Sequence, residues 1–104
     1  MPDLYYSRRA AAVVTGRLEK IYPSPLDFNI IEAELCRVLL ALASDYTQPW
    51  LQQHTVHINE RTRYIVTIKT PTGVEGDLAV SWRLIEYDGR VVPYVTAIEP
   101  GYQM

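Results

Sequence analysis

The chain has a single cysteine, Cys36, among its 104 residues, so it cannot close a disulfide within itself and does not fit the small stapled scaffolds of secreted proteins. A reducing compartment is expected: cytoplasm, or the inside of a virion if the protein is viral. The five glycines, at 16, 73, 76, 89 and 101, form neither GxGxxG nor GxxxxGK followed by Ser or Thr. Without such a loop to cradle phosphates, nucleotide hydrolysis and dinucleotide binding are not indicated, and no cofactor is expected. The only histidines are His54 and His57. Three apart in a strand, they point to opposite faces, and no third ligand stands near them, so no metal is expected. Acid pairs such as Glu75 with Asp77, or Glu60 with Glu86, fall near strand ends and turns, where solvated carboxylates are usual. No catalytic constellation stands out, and the chain does not read as an enzyme.

Long apolar runs are also missing. The longest, "LCRVLLALA" from Leu35 to Ala43, is broken by Arg37. It has about half of the ~20 residues that span a bilayer, so it reads as a core helix rather than a membrane anchor. The first residues, "MPDLYYSRRAAAVV", offer no apolar stretch of signal-peptide length. The net charge of -2 supplies no positive excess for a polyanion, so a nucleic-acid partner is disfavoured.

What is present is a globular composition, 48% apolar and 21% charged, of a length suited to one domain over residues 1–104. Within it, Tyr outnumbers Phe eight to one. Arg likewise supplies most of the ten basic residues. Both Tyr and Arg are enriched at protein interfaces, although a GC-rich genome produces the same Arg bias without any function.

Periodicity changes character near Pro49. Before it, Ala11, Val14, Leu18 and Ile21 form a stripe at three- and four-residue spacing, predicting an amphipathic helix over 5–21 that Gly16 weakens. "YPSPLD" ends it and starts another: Ser24 as N-cap, Pro25 at the first helical position and Asp27 in the first turn open a helix over 25–45. Phe28, Ile31, Leu35, Val38, Leu39 and Leu42 share one arc of that helix, yet Leu26, Ile30, Ala33, Cys36 and Leu40 make the far side apolar as well. A helix apolar nearly all round must be covered nearly all round. The first helix is too short to do so, which points to a second chain.

After "TQPW" the period is two, with strands expected over 54–58, 63–69, 77–87 and 90–98. Asp88-Gly89 calls for a two-residue type I′ hairpin, setting Tyr87 opposite Arg90 and Trp82 opposite Val95. The core face then carries Leu78, Val80, Trp82, Leu84, Pro93, Val95 and Ala97. Pro93 makes the last strand a sheet edge. The expected fold is α+β: two N-terminal helices packed on one face of a four-stranded antiparallel meander sheet, in two layers.

The opposite sheet face, with "NER" taken as a three-residue loop, displays His57, Arg63, Lys69, Arg83 and Tyr94 as a cationic, hydroxyl-rich surface for an acidic partner or an anionic ligand. Thr and Arg are also what a solvated sheet face ordinarily shows. The leading reading is a non-enzymatic protein–protein contact or assembly subunit, self-associating, of a kind that suits a viral or phage structural or accessory component. Its self-association residues are Ile30, Ala33, Arg37 and Leu40, with Tyr5 and Tyr6 on an N-terminal arm. Two alternatives stand beside it. One is a small-ligand-binding or enzymatic domain with a pocket between helix and sheet, Trp50, Trp82, Tyr64 or His54 at its mouth. The other is nucleic-acid binding through the polar sheet face with Arg8, Arg9 and Arg17.

Overall fold

The computed structural model describes residues 4–102. Ser7 caps the first helix: its Oγ accepts from the Ala10 N–H at 3.1 Å, so the helix starts after it, not at Tyr5. Tyr5–Tyr6 are instead a short strand, β1. Helical structure then runs through α1, Arg8–Ala12, a wider π-helical segment, Val13–Arg17, and α2, Leu18–Ile21, with a kink at Gly16. Pro25 opens the long helix α3, Pro25–Ser44, from the first helical position; Ser24 stands at the N-cap, but its hydroxyl makes no capping bond and only its carbonyl accepts, from Phe28 N–H at 2.9 Å. A 3-10 turn at Pro49–Gln52 follows, and then the strands β2, His54–Ile58; β3, Arg61–Ile68; β4, Asp77–Tyr87; and β5, Arg90–Tyr102.

The class is α+β, but the sheet has five strands in the order β1-β5-β4-β3-β2 and is mixed, because β1 lies parallel to β5. The expected four-stranded antiparallel meander is corrected accordingly, and β5 is not an edge. Pro93, which has no N–H to offer on that side, sits just ahead of the pairing of Tyr5 with Tyr94. Two residues cannot advertise a strand by periodicity, so β1 escapes any pattern reading.

The Asp88-Gly89 hairpin has the expected register, Tyr87 opposite Arg90 through Trp82 opposite Val95, with both turn residues at positive φ (53° and 74°). Beyond Trp82 the register slips: Ser81 lies opposite Ala97, leaving Thr96 as a bulge. Ile98, opposite Val80, therefore takes the core position that unbroken alternation gives to Ala97. The bulge frees the Thr96 carbonyl from the ladder, and the Ser7 hydroxyl (2.7 Å) and Arg9 Nε (3.4 Å) donate to it.

The core joins Ala10, Val13, Leu18 and Tyr22 with Ile31, Leu35, Val38 and Leu42 of α3 and with Val66, Val80, Trp82 and Val95 of one sheet face. Trp82 is at its centre, fully buried, with Tyr64 stacked at 4.6 Å and its Nε1–H donating to the Leu51 carbonyl at 2.8 Å. A buried indole needs that acceptor, and the 3-10 turn supplies it. The space between α3 and the sheet is thus filled by side chains at Trp82 and Tyr64, while at its edge a concavity of about 230 Å³ opens beside Trp50, between Arg37 and Val38 of α3 and Val66 and Ile68 of β3. Among the described residues no buried side-chain polar atom lacks a partner. No helix among them is long and apolar enough to cross a membrane.

Candidate functional site

Two surfaces remain after the core is built. The first is the outer stripe of α3. Leu26 (57%), Ile30 (44%) and Leu40 (67%) are exposed large hydrophobics, and Ala33 and Arg37 lie exposed between them. The stripe 26, 30, 33, 37, 40, 44 repeats at alternating four- and three-residue steps, the spacing of a helix-pairing seam. Its one charge is already accounted for. Arg37 donates from Nε (3.2 Å) and Nη2 (2.9 Å) to the same Glu34 oxygen, and its guanidinium lies over the Trp50 ring, 4.5 Å from the centroid. Cys36, also on the far side of the helix from the core arc, is exposed on a neighbouring line. The sheet and the first helix together reach only part of the helix circumference, and Cys36 lies outside it.

Tyr5 and Tyr6 are used within the chain. Tyr6 packs against the core, where burial, with the Cys36 thiol second, raises its hydroxyl pKa, and the Tyr5 ring sits 4.8 Å from that of Tyr87.

The second surface is the sheet face opposite α3. Here the β2–β3 connection decides which residues meet. It is the two-residue turn Asn59-Glu60, both at positive φ (51° and 66°), so Ile58 pairs with Arg61 and His57 with Thr62. A three-residue loop would have placed His57 beside Arg63; one residue less turns every β2 side chain over. His57 therefore belongs to the face opposite Arg63, with its Nδ1 3.1 Å from the Thr62 hydroxyl. Lys69, six residues along from Arg63, is about 20 Å away at 3.3 Å per residue and lies beyond the end of β3.

Arg63, Arg83 and Tyr94 do come together, and Arg61 joins them. All four line a concavity of about 500 Å³ with Ser7, Ile58 and Thr96 at its walls. Arg83 stacks over Tyr94, 5.5 Å from guanidinium to ring centroid. Arg61 is the member that sequence reasoning missed, because the start of β3 was placed at Arg63. Glu at the second turn position hides a hairpin that Asn-Gly would have announced.

A smaller apolar groove of about 280 Å³ lies between the first helical segments and α3, walled by Val14, Phe28, Leu35, Cys36 and Leu39. Among the described residues no group of three or more His, Cys, Asp or Glu could hold a metal ion. No family model, no curated protein and no solved structure matches the chain.

Proposed function

We propose that this protein is a non-enzymatic contact subunit that associates with a second copy of itself through the outer stripe of α3. The observation that carries the reading is the exposure of Leu26, Ile30 and Leu40 on one helical line whose only charge, Arg37, is already bonded to Glu34. Burying an unpaired arginine would oppose association; burying one already held by a carboxylate and stacked on Trp50 costs far less. The stripe is also self-complementary. A two-fold axis at the level of Leu35 sets Ile30 against the partner's Leu40, Ala33 against the partner's Arg37, and Leu26 against the partner's Ser44. Large side chains then meet across the axis, and the small Ala33 makes room for the long Arg37, as an isologous antiparallel pair requires.

The 20 residues of α3 span about 30 Å. Two such helices side by side bury on the order of 1,000 Å² in total, the lower edge of a specific interface. The dimer is therefore a modest one, with dissociation in roughly the micromolar range. Light scattering during size exclusion over a concentration series tests it. A mass that climbs from monomer to dimer, and stays monomeric in Leu40→Glu and Ile30→Glu, is the expected result. A wild-type monomer up to about 1 mM, where even a weak pair forms, overturns the proposal.

A further inference from the structure

A different observation, independent of the α3 stripe, concerns the arginine-lined concavity. The β3–β4 ladder runs from Ile68 opposite Leu78 to Tyr64 opposite Trp82. Both strands continue past that point, β3 back to Arg61 and β4 on to Tyr87, but the ladder between them does not. The next position in register would set Arg63 directly against Arg83. Like charges directly opposite destabilise a sheet pair, and the ladder ends at the position where the two guanidiniums would meet.

Arg61 stands at the mouth of the resulting fork. Among the described residues none of these three arginines has a carboxylate within ion-pair distance, in a chain whose net charge is -2. The fold thus gathers three positive charges without a direct ion pair; Glu86, which lines the gap between β3 and β4 with Arg61 and Arg83, is the acid that shares their surroundings. In the alternation set by the two-residue Asn59-Glu60 turn, Thr62 also turns its backbone N–H away from β2 and into the fork.

We propose that this fork binds a phosphate monoester of a small organic molecule. Guanidinium forks match phosphate oxygens bidentately. A monoester carries about two negative charges, which a single carboxylate does not supply. Arg83 lies over the Tyr94 ring, and among the described residues its N–H donors have no carboxylate within ion-pair distance, which leaves them for the ligand. A concavity of about 500 Å³ is larger than a bare phosphate needs and lies within the usual range for small-molecule sites. Ile58 and the Tyr94 ring give its organic remainder an apolar wall.

Titration of isotope-labelled protein with a nucleoside monophosphate, inorganic phosphate and the phosphate-free nucleoside, followed by NMR at low salt, tests the site. Saturable shifts at Arg61, Arg63, Arg83 and Tyr94 with the monophosphate, weaker ones with inorganic phosphate and none with the nucleoside are expected. Arg63→Gln and Arg83→Gln should each weaken binding about tenfold or more, the worth of a charge-assisted hydrogen bond. Arg61→Gln, at an exposed strand end, gives the same readout without risk to folding. Ligand-free Arg63→Gln should melt no lower than wild type, since a repulsion has gone. No saturable shift, equal shifts with the nucleoside, unchanged affinity in the arginine variants, or tighter binding of a single-stranded oligonucleotide than of the monophosphate would each overturn the proposal.

Discussion

The Asp27 carboxylate holds the β3–β4 loop by both its oxygens: Thr72 N–H donates to Oδ1 at 3.1 Å and the Thr72 hydroxyl to Oδ2 at 2.6 Å. Asp27 is only 1% exposed, 45 residues from its partner along the chain, and sits in the first turn of α3, where a negative charge suits the helix dipole. One side chain thus serves the helix start and the loop. Asp27→Ala should cost about 2 kcal/mol in urea unfolding, because it removes charge-assisted bonds and leaves a cavity. Thr72→Val should cost less, and the double variant should show about 1 kcal/mol of coupling. Additive losses would mean that the two residues act separately.

Tyr22 gives the fold an alkaline limit. It is fully buried and its hydroxyl donates to the Gly76 carbonyl at 3.1 Å. Burial, reinforced by Asp77, Asp27 and Glu75, pushes its pKa from 10.0 up to about 12. The unfolded chain therefore loses this proton first. Above about pH 10 it binds fewer protons than the folded state, and stability falls as pH rises. The contribution is fully present below about pH 10 and is lost by about pH 12. Two units correspond to roughly 3 kcal/mol. Denaturant melts from pH 9 to 11.5, a range chosen to bracket the ordinary tyrosine pKa of about 10, should show wild type converging on Tyr22→Phe as pH rises. Parallel curves would remove Tyr22 as the cause.

Glu60 occupies the second turn position of the β2–β3 hairpin at φ 66°, a left-handed backbone that costs a side chain bearing Cβ about 1 kcal/mol. Glu60→Gly should relieve that strain and, after the entropy that glycine adds to the unfolded chain, raise stability by up to about 1 kcal/mol, read as a higher melting temperature. A lower melting temperature would mean that the Glu60 side chain makes up for its backbone.

How far the sequence reveals this molecule depends on which residue types carry the information. Asp88-Gly89 announces its turn type and so fixes the hairpin register from Tyr87 back to Trp82, because only glycine and a few polar residues accept that backbone. Ser24, Pro25 and Asp27 announce the start of α3 for similarly local reasons. Two features are not local, and a third is local but lacks the residue that would announce it. The bulge at Thr96 depends on Ser7 and Arg9 reaching its carbonyl across the fold. β1 is two residues whose strand character exists only beside β5. Asn59-Glu60 is a hairpin turn without its usual glycine, and that one misread residue sent His57 to the wrong face and hid Arg61 from the cationic cluster. The arginine-lined concavity was half legible in consequence, Arg63, Arg83 and Tyr94 from alternation and Arg61 only from the observed register.

Ser7 ties the start of α1 to β5, and removal of its hydroxyl should be felt in both. Its hydroxyl oxygen accepts from Ala10 N–H at the start of α1 and its proton goes to the Thr96 carbonyl, while its own N–H donates to the Val95 carbonyl at 2.9 Å. Ser7→Ala deletes the first two bonds and keeps the third. The loss of a cap costs about 1 kcal/mol, and the Thr96 carbonyl keeps only the longer bond from Arg9, which adds about as much again. Hydrogen exchange should therefore quicken at Ala10 and along Tyr94 to Ala97 together. Faster exchange at Ala10 alone would show that the bulge holds without Ser7, and that Arg9 is enough to satisfy it.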